Sequence, residues 1–555
     1  MMKKLGYFIL FCSVFSFAQT YRITYKSFFE GKARENQDAI ILYTNTAESY
    51  LTTAETEKGT KKVPFEMQKT DWNTLQLSQF AFLKDQKIAE FTSEFKPQQV
   101  FELKPDTKKV LGYVCKKAVT SVNSNTIELW YTDQLKVKGG PTALGQNLGL
   151  VLEMVRNGNA VTRATEIKKV KQKPFANILK GNLTDKVDEL TYKDLLWRNR
   201  FTIVEIFKDE TINFTGTPVS SENILRFANG TVILRKVKFP EIKQGDNIFA
   251  ELTEQSQGDA YDRTGSVFII PEGGQKTFFD ALSKGIDQVP AYENGDGKVY
   301  KGIVRTDEYE PYIELMRFFT PFGISQFNTL KLKGKDWHNR VSYRQDITEL
   351  LPQLSGKELW TGVYIGNYDK GGHKVSLEIT VHNDGLNVFK TNRAIPVFNT
   401  VNVMEMAGQT YPTLFGSEKG LTVDFTLTKD LKNASLRYIT TGHGGWGNGD
   451  EFVPKENRIF IDGRKAHAFT PWRTDCGSYR LYNPASGNFS TGLSSSDLSR
   501  SNWCPGTLTN PVYIPLGDLK AGHHTIQVQI PQGASEGSSF SYWNVSGVLL
   551  GTEAS

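Results

Sequence analysis

The chain has 555 residues, 39% hydrophobic and 12% aromatic, with 66 Lys and Arg against 60 Asp and Glu for a net charge of +6. That hydrophobic share excludes a disordered chain, and a small charge carried by dispersed basic residues argues against a nucleic-acid-binding surface. The length implies roughly three to four domains.

Met1-Met2-Lys3-Lys4 precede an apolar run from Leu5 to Phe17, and Ser16 and Ala18 occupy the small-residue positions of a signal-peptidase site. The pattern predicts a secretory signal peptide over residues 1–18, cut after Ala18, and a secreted or periplasmic mature protein. Cys12 lies inside the apolar run after Phe11, a poor match to a lipoprotein signal, so no lipid anchor is expected. No later stretch reaches the ~20 apolar residues of a membrane helix, so no membrane partner is expected either. Three cysteines remain. Cys476 and Cys504 flank one loop-rich segment and could pair in an oxidising compartment, for about 3 to 4 kcal/mol of loop-entropy stabilisation. Cys115 is then left unpaired and buried. No CxxC pair occurs and the histidines lack zinc-site spacing, so neither a metal nor a cofactor is expected.

Residues 19–172 alternate short apolar-polar runs with polar turns, among them Tyr21–Tyr25, Asp38–Tyr43 and Thr126–Tyr131. Period-two patterning without helical stretches predicts a separate antiparallel β-sheet domain. Val110–Ala118, the Trp130-Tyr131 strand, Gly139-Gly140-Pro141 and Leu148-Gly149-Leu150-Val151-Leu152-Glu153 follow one another in an order that resembles the GLPGLI family of exported bacterial domains. That likeness implies a fold and a boundary, and no chemistry. Residues 173–200 read as a linker with one short amphipathic helix, beginning near a threonine cap at Thr184 and running to Trp197.

From residue 201 the strand pattern returns. Val375, Leu377 and Ile379 alternate with polar residues, as do Leu421, Val423, Phe425 and Leu427, and later Ile526, Val528 and Ile530. Some 350 residues exceed one sandwich of roughly 100 to 170, so two are expected, 201–383 and 384–555, divided at the turn His382-Asn383-Asp384-Gly385. The second carries Thr441-Gly442-His443-Gly444-Gly445-Trp446-Gly447-Asn448-Gly449-Asp450-Glu451, a glycine-rich loop with neither the Lys-Ser ending nor the following helix of a phosphate cradle. It reads instead as a loop that admits a flat polar ligand to the backbone, with Trp446 and Glu451 at its rim.

Asp259-Ala260-Tyr261-Asp262-Arg263 forms a polar turn running into the strand Ser266–Ile270. By itself it is an ordinary β-turn. In order after it come Arg317-Phe318-Phe319-Thr320-Pro321-Phe322, Asp346-Ile347-Thr348 with Leu354-Ser355-Gly356, the Gly442-His443 loop with Glu451, and Arg500 ahead of Trp503-Cys504-Pro505-Gly506. This ordered series resembles the peptide-N-glycosidase F family over about residues 220–550, and the whole chain is similar to its longer, type II members.

The resemblance implies an all-β protein with two antiparallel jelly-roll sandwiches side by side and a cleft between them. It also implies hydrolysis of the amide joining asparagine to the innermost N-acetylglucosamine of N-glycoproteins and glycopeptides. The family's catalytic carboxylates fall on Asp262 and Glu451, its substrate-side arginines on Arg263 and Arg500, and its cleft lining on His443 and Trp503, with Tyr261 and Tyr368 expected to bind substrate as well. One departure is clear. Where the family has another cleft acid and a nearby tryptophan, this chain has Gly366 and Tyr368, and Gly258 and Val453 stand at two disulfide positions. The expected partners are N-glycoproteins, without nucleic acid, and the expected state is a monomer. A non-catalytic N-glycan-binding protein and an endo-acting glycosidase are the alternatives.

Overall fold

The computed structural model describes residues 19–553 apart from 96–99, 172–182, 325, 384–390, 408–412, 445–447, 487 and 489–493. The signal-peptide stretch, Trp446 and the Asp384-Gly385 turn lie outside the described residues. The chain divides into two units, one ending at Arg200 and the other beginning at Phe201.

The first unit is a 13-stranded sheet of successive antiparallel neighbours. Its first strand, Thr20–Phe29, lies between Ile40–Thr44 and Ala160–Val170, so both ends of the hairpin series meet in mid-sheet. The segment expected as a linker contributes to this unit. Leu183–Lys186 adds in parallel to Ile88–Glu94, and the helix Glu189–Arg198 follows. That helix starts at Glu189 because the Asp188 carboxylate accepts from the backbone N–H of Leu190 and Thr191, satisfying two first-turn donors, while Thr184 is committed to the strand. It buries Tyr192 and Leu196 against Ala81, Leu83 and Ala89 of the sheet.

The second unit is built from two β-sandwiches. In the first, the sheet Thr202–Ile212, His373–His382, Asn247–Ser256, Val341–Asp346 faces a six-stranded sheet ordered Leu225–Phe227, Val232–Lys238, Glu358–Ile365, Thr264–Ile270, Ile313–Phe319, Leu508–Thr509. Asn247–Ser256 buries every second residue, the signature of a strand with one face on a core. The second sandwich packs Arg393–Asn399, Tyr542–Glu553, Leu431–His443, Val512–Leu519 on Leu421–Leu427, Gly522–Gln529, Asn457–Ile461, Arg464–Phe469. The strand Tyr542–Glu553 shows nearly continuous burial, because the two sandwiches cover both of its faces.

The halves of this unit interpenetrate. The hairpin Ala291–Glu293 with Val299–Lys301 places Tyr292 and Tyr300 in the second core, and the Tyr292 hydroxyl donates to the Gly420 carbonyl at 2.8 Å. Ala394, Val548 and Leu550 belong to the first core. Two buried arginines cross the seam in opposite directions. Arg317 reaches the Asn544 carbonyl at 2.6 Å while its fork rests on Glu314 at 2.7 and 3.0 Å. Arg437 donates to Glu349 at 2.6 Å and to the carbonyls of Glu314 and Leu315 at 2.9 and 3.1 Å. Such charges are tolerated in a core only with near-complete hydrogen bonding, which fixes the two sandwiches in one relative position. No helix among the described residues is long and apolar enough to cross a membrane.

Candidate active site

At the seam lies a cleft of about 310 Å³ lined from both sandwiches, by Asp262, Arg263, Tyr364, Gly366 and Tyr368 on one side and by Glu405, His443, Glu451, Trp503 and Tyr542 on the other.

Asp262 is aimed by its neighbours. The Asp259 carboxylate accepts from the Tyr261 N–H at 3.2 Å and takes both Arg263 Nε at 2.6 Å and Nη2 at 3.1 Å. The Thr320 hydroxyl accepts from the Arg263 N–H at 2.8 Å and donates to the Tyr261 carbonyl at 3.0 Å. Residues on either side of Asp262 are therefore pinned, which leaves its side chain little choice of direction. Burial alone would raise the Asp259 carboxyl, but His373 and Arg263 outweigh it and hold it at about 2. Gly258 is required for a different reason: a Cβ there would stand 2.6 Å from Asp369 Oδ1 and 2.9 Å from Gly371 Cα. The turn thus leans on a second backbone at Gly258.

Glu451 is held by an analogous device. The carboxylate of Asp450 accepts from Trp543 Nε1 at 2.8 Å and from the Gly533 N–H at 3.0 Å, and the Ser501 N–H donates to the Glu451 carbonyl at 2.9 Å. The glycine-rich loop is thus anchored immediately before its acid.

Arg500 joins the two. Its Nη1 lies 3.2 Å from Asp262 Oδ2 and 3.0 Å from Glu451 Oε1, and its Nη2 donates to the Ser495 carbonyl. The guanidinium is fully buried and sits 4.3 Å from the centre of the Trp503 ring, while the main chain of Arg500 exchanges hydrogen bonds with that of Arg473 in both directions. The disulfide Cys476–Cys504 closes the segment that carries it, with Cα atoms 5.1 Å apart, and Cys115 is buried and unpaired. Both acids keep 18% of their side chains exposed, toward the cleft. Burial pushes the Glu451 carboxyl up to about 7, with Arg500 opposing and Asp262 adding to the rise. Burial raises Asp262 as well, against the pull of Arg500. Two carboxylates on one cation inside a cleft bind a proton more tightly than free ones, as functional carboxyl pairs do.

The wall is aromatic. Trp503, only 3% exposed, stacks on Phe319 at 4.4 Å, with its Nε1 donating to the Gly442 carbonyl at 3.0 Å. His443 stacks on Tyr542 at 5.1 Å and faces the Thr441 hydroxyl at 2.8 Å. Burial first, then Arg317 and Arg500, keep its ring well below the usual histidine range, so it is neutral. At the mouth, Arg263 lies 5.3 Å from the Tyr368 ring and 5.1 Å from that of Tyr261, which also stacks on Phe322. Tyr261 and Tyr368 are both more than half exposed. Tyr368 belongs to the lining and Tyr261 stands at the rim.

Several residues here escaped sequence reading. Glu405 accepts from the hydroxyls of Tyr368 at 2.9 Å and Tyr364 at 3.4 Å, which places a carboxylate beside Gly366. A Cβ at Gly366 would stand 2.6 Å from the Tyr364 hydroxyl, so that hydroxyl fills the space the missing side chain leaves. A lone acid in the apolar run Val401–Ala407 was the available signal for Glu405. Asp450 was hidden by its neighbour Glu451, and His373 by its position as an ordinary strand opener.

Two β-sandwiches that each send a carboxylate to a common cleft, bridged by one buried arginine and walled by aromatic rings, define a hydrolase built across a double jelly roll. Residues 203–381 match the family model for peptide-N-glycosidase F, N terminal, residues 410–550 that for peptide-N-glycosidase F, C terminal, and residues 23–194 that for the N-glycanase peptide, N-terminal domain. Two solved structures of PNGF-II, in the C2 and P21 space groups, are each 60% identical to this chain and cover 97% of it. They superpose with TM-scores of 0.92 and 0.93 over 99% and 100% of their own lengths. A comparison with curated proteins finds no match. The chain belongs to the peptide-N-glycosidase F family, in the longer form that carries an N-terminal sheet domain, and its activity class is that of an N-glycan amidase.

Proposed function

We propose that this protein is exported, loses residues 1–18, and hydrolyses the amide between asparagine and the innermost N-acetylglucosamine of N-glycoproteins and glycopeptides. The observation that carries this reading is the Asp262–Arg500–Glu451 bridge, one acid from each sandwich on a single guanidinium, in a chain of this family. An amide resists neutral water, so the site must take a proton from water as its oxygen attacks the side-chain carbonyl carbon and return one to the departing nitrogen. A carboxylate with a pKa near the working pH does both. Asp262 contacts the scissile linkage and Glu451 orients the water or substrate. The C–N bond breaks, asparagine becomes aspartate, and the glycan leaves as a glycosylamine. Arg500 places fixed positive charge beneath the developing oxyanion and limits the repulsion between the two acids.

Replacing Asp262 by Asn is expected to lower glycan release at least ~10³-fold with the near-ultraviolet circular dichroism unchanged. Mass spectrometry of the peptide product identifies the reaction: amidase action leaves aspartate and no sugar, whereas an endo-acting glycosidase leaves asparagine bearing N-acetylglucosamine. On this reading a core α1,3-fucose is accepted, because beside Gly366 the Tyr364 and Tyr368 hydroxyls and Glu405 offer hydrogen-bonding groups to it. Matched glycopeptides with and without that fucose test this, and absence of release from the fucosylated one refutes it. Export predicts a mature protein whose N-terminal residue is Gln19, read by sequencing the secreted form.

A further inference from the structure

Behind the Asp262 turn lies a second set of charges that the reaction does not touch. Glu254 lies two residues before the end of the strand Asn247–Ser256, His373 opens the strand His373–His382, and Asp259 lies in the turn. All three are buried, His373 fully. His373 Nδ1 is 2.8 Å from Glu254 Oε1 and Nε2 is 3.4 Å from Asp259 Oδ2. A carboxylate on each ring nitrogen requires both nitrogens to donate, and only the imidazolium carries two N–H groups. The Asp259 oxygen that faces His373 also accepts from Arg263 Nε, and its other oxygen accepts from Arg263 Nη2. Charges thus alternate along Glu254, His373, Asp259 and Arg263, and the second oxygen of Glu254 has no partner among the described residues, so that acid leans on His373.

We propose that His373 is a positioning residue for glycan release: as an imidazolium it holds Asp259, and through it Arg263 and the aim of Asp262, so that loss of its proton sets the alkaline limit of activity. This rests on the reading of Asp262 given above. The groups around the ring are Glu254 from one strand, Asp259 and behind it Arg263 from the turn, and the Tyr343 phenol, which stands near Glu254 from the strand Val341–Asp346. Burial works against the imidazolium, but the carboxylates of Asp259 and Glu254 outweigh it and keep the proton on to about 9. The longer contact is on the Asp259 side. A neutral Nε2 would turn a lone pair on the carboxylate that fixes the turn, and Arg263 would lose half of its anchor.

The test measures kcat and KM for release from one glycopeptide, from about pH 6 to about pH 10, for the wild type, Asp262→Asn, Glu254→Gln and His373→Gln. Wild-type release abolished in Asp262→Asn establishes the underlying reading; without it that reading fails, whatever the other variants do. Wild-type kcat/KM is expected to fall as pH rises through about 9. Glu254→Gln removes one of the two anions that retain the proton, so its alkaline limb should move down by about one pH unit, with activity near pH 7 within about threefold of wild type. His373→Gln should lower kcat by roughly tenfold or more near pH 7 with a smaller change in KM. If His373→Gln fails to fold, the limb of Glu254→Gln decides. A Glu254→Gln limb coincident with that of wild type, or a wild-type profile flat up to about pH 10, overturns the proposal.

Discussion

Asp262 was legible as a candidate because it sits between an aromatic residue and an arginine at the mouth of a strand, yet nothing local distinguishes it from a turn aspartate. Its distinction comes from Arg500, 238 residues away in sequence and 3.2 Å away in space. The same contact changes the picture of Arg500. A residue expected to face substrate is fully buried beneath the two acids, and its first task is to let two carboxylates share one cleft. Glu451 then supplies a measurable consequence at this scale. A carboxyl held up to about 7 is largely protonated below that pH, so kcat/KM should rise as pH increases through about 7 rather than near the ordinary glutamate value of 4.5. An acid limb near 4.5 would show that Glu451 is not the titrating group.

Among the elements, the amphipathic strands were the most readable, since one buried face leaves a period-two trace and Asn247–Ser256 keeps it without a break. The strand Tyr542–Glu553 has no such trace, because both faces are covered. The helix cap lies four residues later than expected, at Asp188 rather than Thr184, because Thr184 had a competing use in the parallel pair with Ile88–Glu94 while Asp188 offered a stronger cap. The paired arginines at the seam belong to this scale too, since Arg317 and Arg437 each lie on a strand of one sandwich and bond the other. Replacing Arg437 by Met would leave Glu349 buried without its partner and should destabilise the second unit by about 3 to 5 kcal/mol, read as a shift in the denaturant midpoint. The histidine cluster carries a linkage of its own. Because the folded His373 pKa is raised from 6.5 to about 9, its contribution to stability is fully present below 6.5 and is lost as pH rises through 9.

At the scale of the whole molecule, each unit has hydrophobic cores of its own among the described residues. Residues 201–555, which contain every residue of the cleft, should therefore fold alone and release the glycan from a short glycopeptide. A cut at 172 is the wrong one to make, because Leu183–Lys186 and the helix Glu189–Arg198 pack on the N-terminal sheet. Circular dichroism and glycan release on the 201–555 fragment check both statements, and its failure to fold would assign the N-terminal domain a structural duty.

By itself, the sequence determined the all-β class, the succession of one sheet domain and two sandwiches, the pairing capacity of Cys476 and Cys504, and the motif order that points to this family. These rest on local periodicity and on spacing along the chain, which every short segment records independently. Only the tertiary structure decided that Arg500 lies between both acids, that Glu405 comes to stand beside Gly366, and that His373 contacts Asp259 in the Asp262 turn while Asp450 is anchored next to Glu451. Those relations join residues tens to hundreds of positions apart, and they exist because buried charges must find partners wherever the folded core brings them, a demand that leaves no pattern in any one stretch of sequence.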